Sequence, residues 1–277
     1  MRIFNDALGA TVDLPDTPHR IVILASSATE TVFALGYGHR VVGVSSYCGR
    51  YVDSLKIPVV GDYLGVDWDL LHQLVPDLVL VTTGLQRQLG EKLLKKGYPV
   101  YALPLPFSLC GIVENIAILG ALLNDTRAAR HLRRQWELHF FKLRQVQPVP
   151  APRVYTELWF GKNQQTIGGS GFISDLIAAV GGKPLFRENP RPYLVPDLIE
   201  VARRQPDIVI FFSEPEFPVA GRSSIRGRGW DRWPRPPFVI ESTTAKGRNL
   251  IHDGISLMET ASWLSSCFQE WAATRMR

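Results

Sequence analysis

The sequence predicts an α/β protein of two similar lobes with mostly parallel sheets, joined by one long α-helix. Three observations carry this. Short, continuously apolar runs alternate with helical stretches of about ten residues, the pattern of strands buried on both faces and their crossover helices. That alternation breaks once, across residues 112–147, where the periodicity stays helical, and it restarts after Pro152. A segment also recurs: Leu70-Leu-His-Gln-Leu-Val-Pro-Asp-Leu-Val-Leu80 is echoed 130 positions later by Glu200-Val-Ala-Arg-Arg-Gln-Pro-Asp-Ile-Val-Ile210. Both copies read as helix, Pro-Asp, buried strand.

Taken in order, residues 2–6 and 10–14 flank an Ala-Leu-Gly turn and read as a hairpin. Residues 21–25 form an apolar strand, followed by a helix over 29–35 that Gly36-Tyr-Gly38 closes. A strand at 41–44 comes next, then a helix over 67–74 with an aspartate at its start, and a strand at 78–81. A helix over 87–96 ends at Gly97, and 99–103 is a further strand. The long helix runs from Thr126 to Val146, about 30 Å at 1.5 Å per residue, with Asn124-Asp-Thr126 as its capping start. The prolines of Gln147-Pro-Val-Pro-Ala-Pro152 stiffen its exit. Beyond it, 154–158 is a strand, 172–180 a helix closed by Gly181-Gly182, and 208–212 a strand. The resulting division is residues 1–124 as one lobe, 125–147 as the linking helix and 148–277 as the second lobe.

Composition narrows the function classes. With 45% hydrophobic and 21% charged residues over 277 positions, the chain has ordinary globular composition and is neither disordered nor collagen-like. The net charge of +5 is concentrated: residues 219–237 hold Arg222, Arg226, Arg228, Arg232 and Arg235 against the single acid Asp231. The remainder is nearly neutral, so a broad nucleic-acid footprint is excluded. That segment, with Trp230 and Trp233, reads as a solvated basic loop, or as one lying over a ligand and meeting its carboxylates or phosphates. Cys48, Cys110 and Cys267 show no metal-finger or disulfide-framework spacing, although one disulfide is compatible with them. The opening MRIFNDALGATVDLP is too polar for a secretory leader, and the most apolar stretch, 100–123, is interrupted by prolines and Glu114, so no membrane span is expected.

Catalytic and metal motifs fail one by one. Gly36-Tyr-Gly38 lacks a third glycine and closes a helix, and no glycine–lysine pair has phosphate-loop spacing. In Gly168-Gly-Ser-Gly-Phe172 the second glycine of a nucleophile elbow is missing. The six histidines are scattered, and no cluster of three or four metal ligands forms. No catalytic residue, resident metal or cofactor is expected. What stands out is aromatic and hydroxyl residues where strands end: Tyr47, Tyr63, Thr82, Thr83, Trp159 and Phe160. Ligands of open parallel sheets bind beyond the carboxyl ends of the strands, and flat aromatic faces there suit a ringed ligand. The competing reading has these rings filling the core.

Arg20-Ile-Val-Ile-Leu-Ala-Ser-Ser-Ala-Thr-Glu-Thr-Val-Phe-Ala-Leu-Gly36, Val41-Val-Gly-Val-Ser-Ser-Tyr47, Pro76-Asp-Leu-Val-Leu80 and Thr166-Ile-Gly-Gly-Ser-Gly-Phe172 with Gly181-Gly182 resemble the class III substrate-binding proteins of ABC importers, nearest to those that bind cobalamin. The resemblance covers nearly the whole chain. It implies two Rossmann-like lobes, a backbone helix and a ligand cleft between the lobes. The ligand would be metal-centred: a corrinoid, alternatively haem or a ferric siderophore. By position, Tyr47, Tyr63, Phe160 and Tyr193 would line the cleft, with Thr82 where an aromatic can occur. One acid per lobe would dock arginines of a membrane permease, itself driven by an ATPase: Asp69, and in the second lobe, where the matching position is Ile199, Asp197 or Glu200. Such exposed pairs contribute about 0–1 kcal/mol each and orient more than they hold; helix-dipole stabilisation is their structural alternative. A monomer is expected. The polar start fits a processed extracytoplasmic chain or a cytoplasmic enzyme or chaperone on the same scaffold.

Overall fold

The computed structural model describes residues 1–275. An antiparallel hairpin, β1 (Arg2–Asn5) and β2 (Ala10–Asp13), precedes the first alternating block. That block is β3 (Ile21–Ile23), α1 (Ser26–Ala34), β4 (Val41–Ser45), β5 (Val59–Gly61), α2 (Trp68–Leu74), β6 (Leu78–Thr82), α3 (Arg87–Lys95) and β7 (Val100–Leu103). Helices α4 (Leu109–Leu122) and α5 (Thr126–Arg144) follow. The second block is β8 (Arg153–Phe160), β9 (Asn163–Ile167), α6 (Phe172–Ala179), β10 (Lys183–Pro184), β11 (Tyr193–Leu194), α7 (Leu198–Arg204), β12 (Ile208–Ser213), α8 (Gly221–Gly227), β13 (Phe238–Ser242) and α9 (Leu257–Arg275).

The chain divides into two compact units, one of residues 1–106, 110–136 and 253–255, the other of 107–109, 137–252 and 256 onward. In the first, five parallel strands are ordered β5-β4-β3-β6-β7. Alternate residues face opposite sides of the sheet. Ile21, Ile23, Leu78 and Leu80 share a core with Val32 of α1 and Ile116 and Leu119 of α4. Val22, Val79 and Val81 share another with Leu71 of α2 and Leu89 and Leu93 of α3. Each such side chain contributes about 1.5–3 kcal/mol when fully buried, which is why these strands read as unbroken apolar runs.

In the second unit the order is β11-β9-β8-β12-β13, with β10 pairing β8. Its centre (β10, β8, β12, β13) is parallel, while β9 and β11 add an antiparallel edge. Helix α5 has 19 residues, about 28 Å. It starts where expected, with the Asp125 carboxylate accepting from Ala128 N–H at 2.9 Å, and ends two residues sooner.

One expectation is corrected. Residues 219–237 are not an irregular loop: they form α8 and a 3-10 turn at Trp230–Arg232, with Arg222, Arg226, Arg232 and Arg235 still exposed. Trp230 is 4% exposed, packs edge-on against Tyr155 at 6.3 Å and stacks on the half-buried Trp233 at 5.2 Å. Burying the Trp230 indole anchors the segment while the arginines reach water. All three cysteines are free. No described helix is long and apolar enough to cross a membrane.

Candidate ligand-binding site

The strand carboxyl ends of the first unit gather most of the expected residues. Two residues after β4, Tyr47 stacks on Tyr63, with ring centroids 4.8 Å apart and planes 22° from parallel. The Arg50 guanidinium lies 5.0 Å from the centre of the Tyr47 ring, within cation–π distance. The Tyr63 hydroxyl shares a hydrogen bond of 3.1 Å with Ser26 Oγ, at the first turn of α1 and just past β3. Burial pushes the Tyr63 phenol above its ordinary range; the bond to Ser26 opposes this, and the charges of Asp253, Cys48 and Tyr47 reinforce it. The phenol therefore stays protonated near neutral pH and keeps a donor. A shallow cavity of about 600 Å³ is lined by Ser46, Gly61, Asp62, Leu64, Gly65 and Val66, the residues flanking both tyrosines in sequence.

Thr82 and Thr83 stand at the end of β6, but their hydroxyls are engaged. Thr82 donates from N and Oγ1 to Gln86 Oε1 at 3.0 and 3.1 Å, while Gln86 Nε2 donates to Leu24 O at 3.0 Å. Thr83 Oγ1 accepts from Leu105 N at 2.8 Å. These bonds hold the loop after β6 to the residues that follow β3 and β7.

In the second unit Phe160 ends β8 and meets Tyr193 of β11 edge to face at 6.4 Å, and Phe212 at 6.2 Å. Tyr193 is 40% exposed. The Thr166–Phe172 motif explains how Tyr193 arrives there. A Cβ on Gly168 would lie 2.0 Å from Arg191 O, and one on Gly169 2.1 Å from Arg187 O. Only glycine lets the backbones touch, with Gly168 N donating to Pro192 O and Gly169 N to Asn189 O. Tyr193 is thereby registered opposite Ile167.

Behind this edge lies a buried polar network. Glu157, wholly buried on β8, accepts from Arg228 Nη1 at 2.7 Å and Nη2 at 2.9 Å, from Trp159 Nε1 at 2.8 Å and from the Tyr155 hydroxyl at 3.1 Å. Arg228 is thus committed to a core carboxylate and is not one of a row of arginines free for a ligand.

The expected docking acids differ in state. Asp69 is exposed on the first turn of α2, and its carboxylate has no partner among the described residues. Asp197 caps α7 by accepting from Ile199 N and Glu200 N. Glu200 is held by Arg203 and Arg204, whose hydrogen bonds, Arg203's first, lower its carboxyl to about 2. No described group of three or more His, Cys, Asp and Glu could hold a metal. Sequence reasoning missed Ser26, Arg50 and Glu157; only Ser26, directly after an apolar strand, left a local signal.

The sequence profile of the family described as periplasmic binding protein matches residues 21–246. A cobalamin-binding protein of Halobacterium salinarum is 28% identical over 213 residues, 74% of this chain and 57% of the relative's length. A vitamin B12-binding protein of Vibrio parahaemolyticus is 27% identical over 199 residues, 69% of each chain. The periplasmic haem-binding protein of Roseiflexus sp. RS-1 in its apo form superposes with a TM-score of 0.71 at 21% identity, over 92% of this chain and 99% of that one. With the profile spanning every strand from β3 to β13, two sheets alike in their strand-end aromatics and the fold shared with solved members, the chain belongs to the periplasmic binding protein family.

Proposed function

We propose that the chain is the extracytoplasmic receptor of an ABC importer, binding a corrinoid between its lobes and delivering it to the permease, which works with its ATPase. Residues 1–124 and 148–277 act as the lobes and 125–147 as the link. Tyr47, Tyr63, Phe160 and Tyr193 supply the flat contact, with Thr82 and Thr83 as further ligand-binding residues. The stacked Tyr47–Tyr63 pair carries this reading: two rings held by Ser26 and Arg50 form a preorganised aromatic face. The names of the two relatives above support the corrinoid class. Haem's propionates would call for free arginines, and Arg228's bond to Glu157 removes one of them. Asp69 is the best docking acid, being exposed and unpaired, with Asp197 and Glu200 as the second lobe's acids. The receptor works as a monomer and holds no cofactor of its own.

Titration with cyanocobalamin in a calorimeter is the test. Saturable heat at 1:1 is expected, and Tyr47→Ala and Phe160→Ala each weaken it about 10- to 100-fold, the usual effect of removing a buried aromatic anchor. Absence of heat with every corrinoid, alongside binding of haemin, overturns the ligand class.

A further inference from the structure

The second unit carries a cavity of about 630 Å³ at the opposite end of its sheet from Phe160. It is lined by Arg153, Lys183, Arg235, Arg275, Asp207 and Trp271, with Pro150, Ala151 and Thr274 completing the wall. Arg153 opens β8, Lys183 opens β10, Asp207 immediately precedes β12, and Arg235 stands three residues before β13. The parallel register thus brings the starts of four strands, and their cations, to one place.

Among the described residues lining it, four cations face one carboxylate, an excess of three positive charges. Arg153 is spoken for: Nε bonds Asp207 Oδ2 at 3.2 Å and Nη1 donates to Arg204 O at 2.8 Å. Arg275 donates to Pro236 O at 3.4 Å and lies 5.8 Å from the centre of the Trp271 ring. Lys183 and Arg235 are exposed and have no partner among the described residues. Trp271, 3% exposed, closes the wall from behind, with its indole N–H sealed from solvent. Excess positive charge with two unpartnered cations calls for an occupant that accepts hydrogen bonds and carries several negative charges.

We propose that this cavity is a second ligand site, separate from the aromatic one, and that it takes a soluble polyphosphate, either inorganic or carried by a nucleotide. Lys183 and Arg235 supply the free charge, Arg153 and Arg275 add cations already fixed in place, and Trp271 packs behind them.

The test titrates the intact protein with sodium pyrophosphate, ADP and inorganic phosphate at low ionic strength, beside a chloride control. Pyrophosphate is expected to bind 1:1 at least tenfold more tightly than phosphate. The double variant Lys183→Gln/Arg235→Gln, confirmed as folded by circular dichroism, should lose at least tenfold in pyrophosphate affinity while binding cyanocobalamin as the parent does. The Trp271 indole resonance, assigned through Trp271→Phe, should shift on saturation. ADP binding more tightly than pyrophosphate identifies a nucleotide as the source, and equal or weaker ADP binding identifies the inorganic ion. No saturable heat with pyrophosphate, an unchanged affinity in the double variant or a stationary indole resonance overturns the site.

Discussion

Glu157 and Arg228 form an ion pair whose acid is wholly shielded from solvent and whose guanidinium is 18% exposed. Two charged hydrogen bonds, with the Trp159 and Tyr155 donors, satisfy the carboxylate. Removing one partner of such a pair strands a buried charge, at about 3–5 kcal/mol. Arg228→Ala is therefore expected to lower the unfolding free energy by that amount, measured by urea denaturation followed by far-UV circular dichroism. Replacing both, as Glu157→Leu/Arg228→Met, should recover part of the loss, because no charge is then left unpaired. Equal losses in the single and double variants would show that packing, not charge, sets the effect. Tyr155 takes the same side: burial first, then the charge of Glu157, push its phenol far above the ordinary range, so it remains a donor to that carboxylate.

At the scale of elements, α2 and α7 are two copies of one device. Asp67 and Asp197 cap their starts, and each helix ends in a left-handed residue, Val75 at φ 42° and Gln205 at φ 44°. Behind each, a Pro-Asp pair follows. Asp77 accepts from His19 N and Arg20 N, and Asp207 from Arg153 N. In return Arg20 and Arg153 donate to carbonyls at the helix ends. Val75 is the strained copy, because a β-branched residue there crowds its own backbone. Val75→Asn is expected to stabilise by about 1 kcal/mol in chemical denaturation, and a loss would show that the exposed valine contributes packing instead. This device was legible in the sequence because a carboxylate cap and a Pro-Asp stop act within a few residues. The antiparallel edge was not: β9 is the polar run Asn163-Gln-Gln-Thr-Ile, and two-residue β11 is placed by the backbone contacts of Gly168 and Gly169. The site divides likewise, Tyr47 and Phe160 being readable as strand-end aromatics, while Arg50 over Tyr47 and Arg228 on Glu157 depend on tertiary packing. Contact between α5 and α9 gives a pH signature. His139 shares a 3.1 Å hydrogen bond with Ser262, and burial first, with Lys142 nearby, lowers its pKa against a backbone bond at Met258. A histidine lowered on folding favours the neutral ring, so its contribution is intact above its unfolded value, about 6.5, and is lost as pH falls below it. The urea midpoint should drop between pH 7.5 and 5.5, and His139→Gln should reduce that drop; an identical drop in the variant would exclude His139 as a source.

For the whole molecule, the test falls on α5, which runs unbroken through the division of the chain between Trp136 and Glu137. Its buried residues belong to both units: Ala129, Leu132 and Trp136 to the first, Phe140 to the second. Glu137 is exposed, so a substitution there acts through the backbone alone. Glu137→Pro removes one helical hydrogen bond and clashes with the preceding turn, costing about 3 kcal/mol or more. Because each unit has its own sheet and core, most of the circular dichroism signal should survive. On the proposed reading corrinoid affinity should not: if Tyr47 and Phe160 both contact the ligand, kinking α5 costs the receptor preorganisation. The expected result is a drop in affinity of tenfold or more, with Glu137→Ala near the parent. A proline variant that binds cyanocobalamin as tightly as the parent would place the whole binding site within one unit, and the aromatic residues of the other would then be core packing.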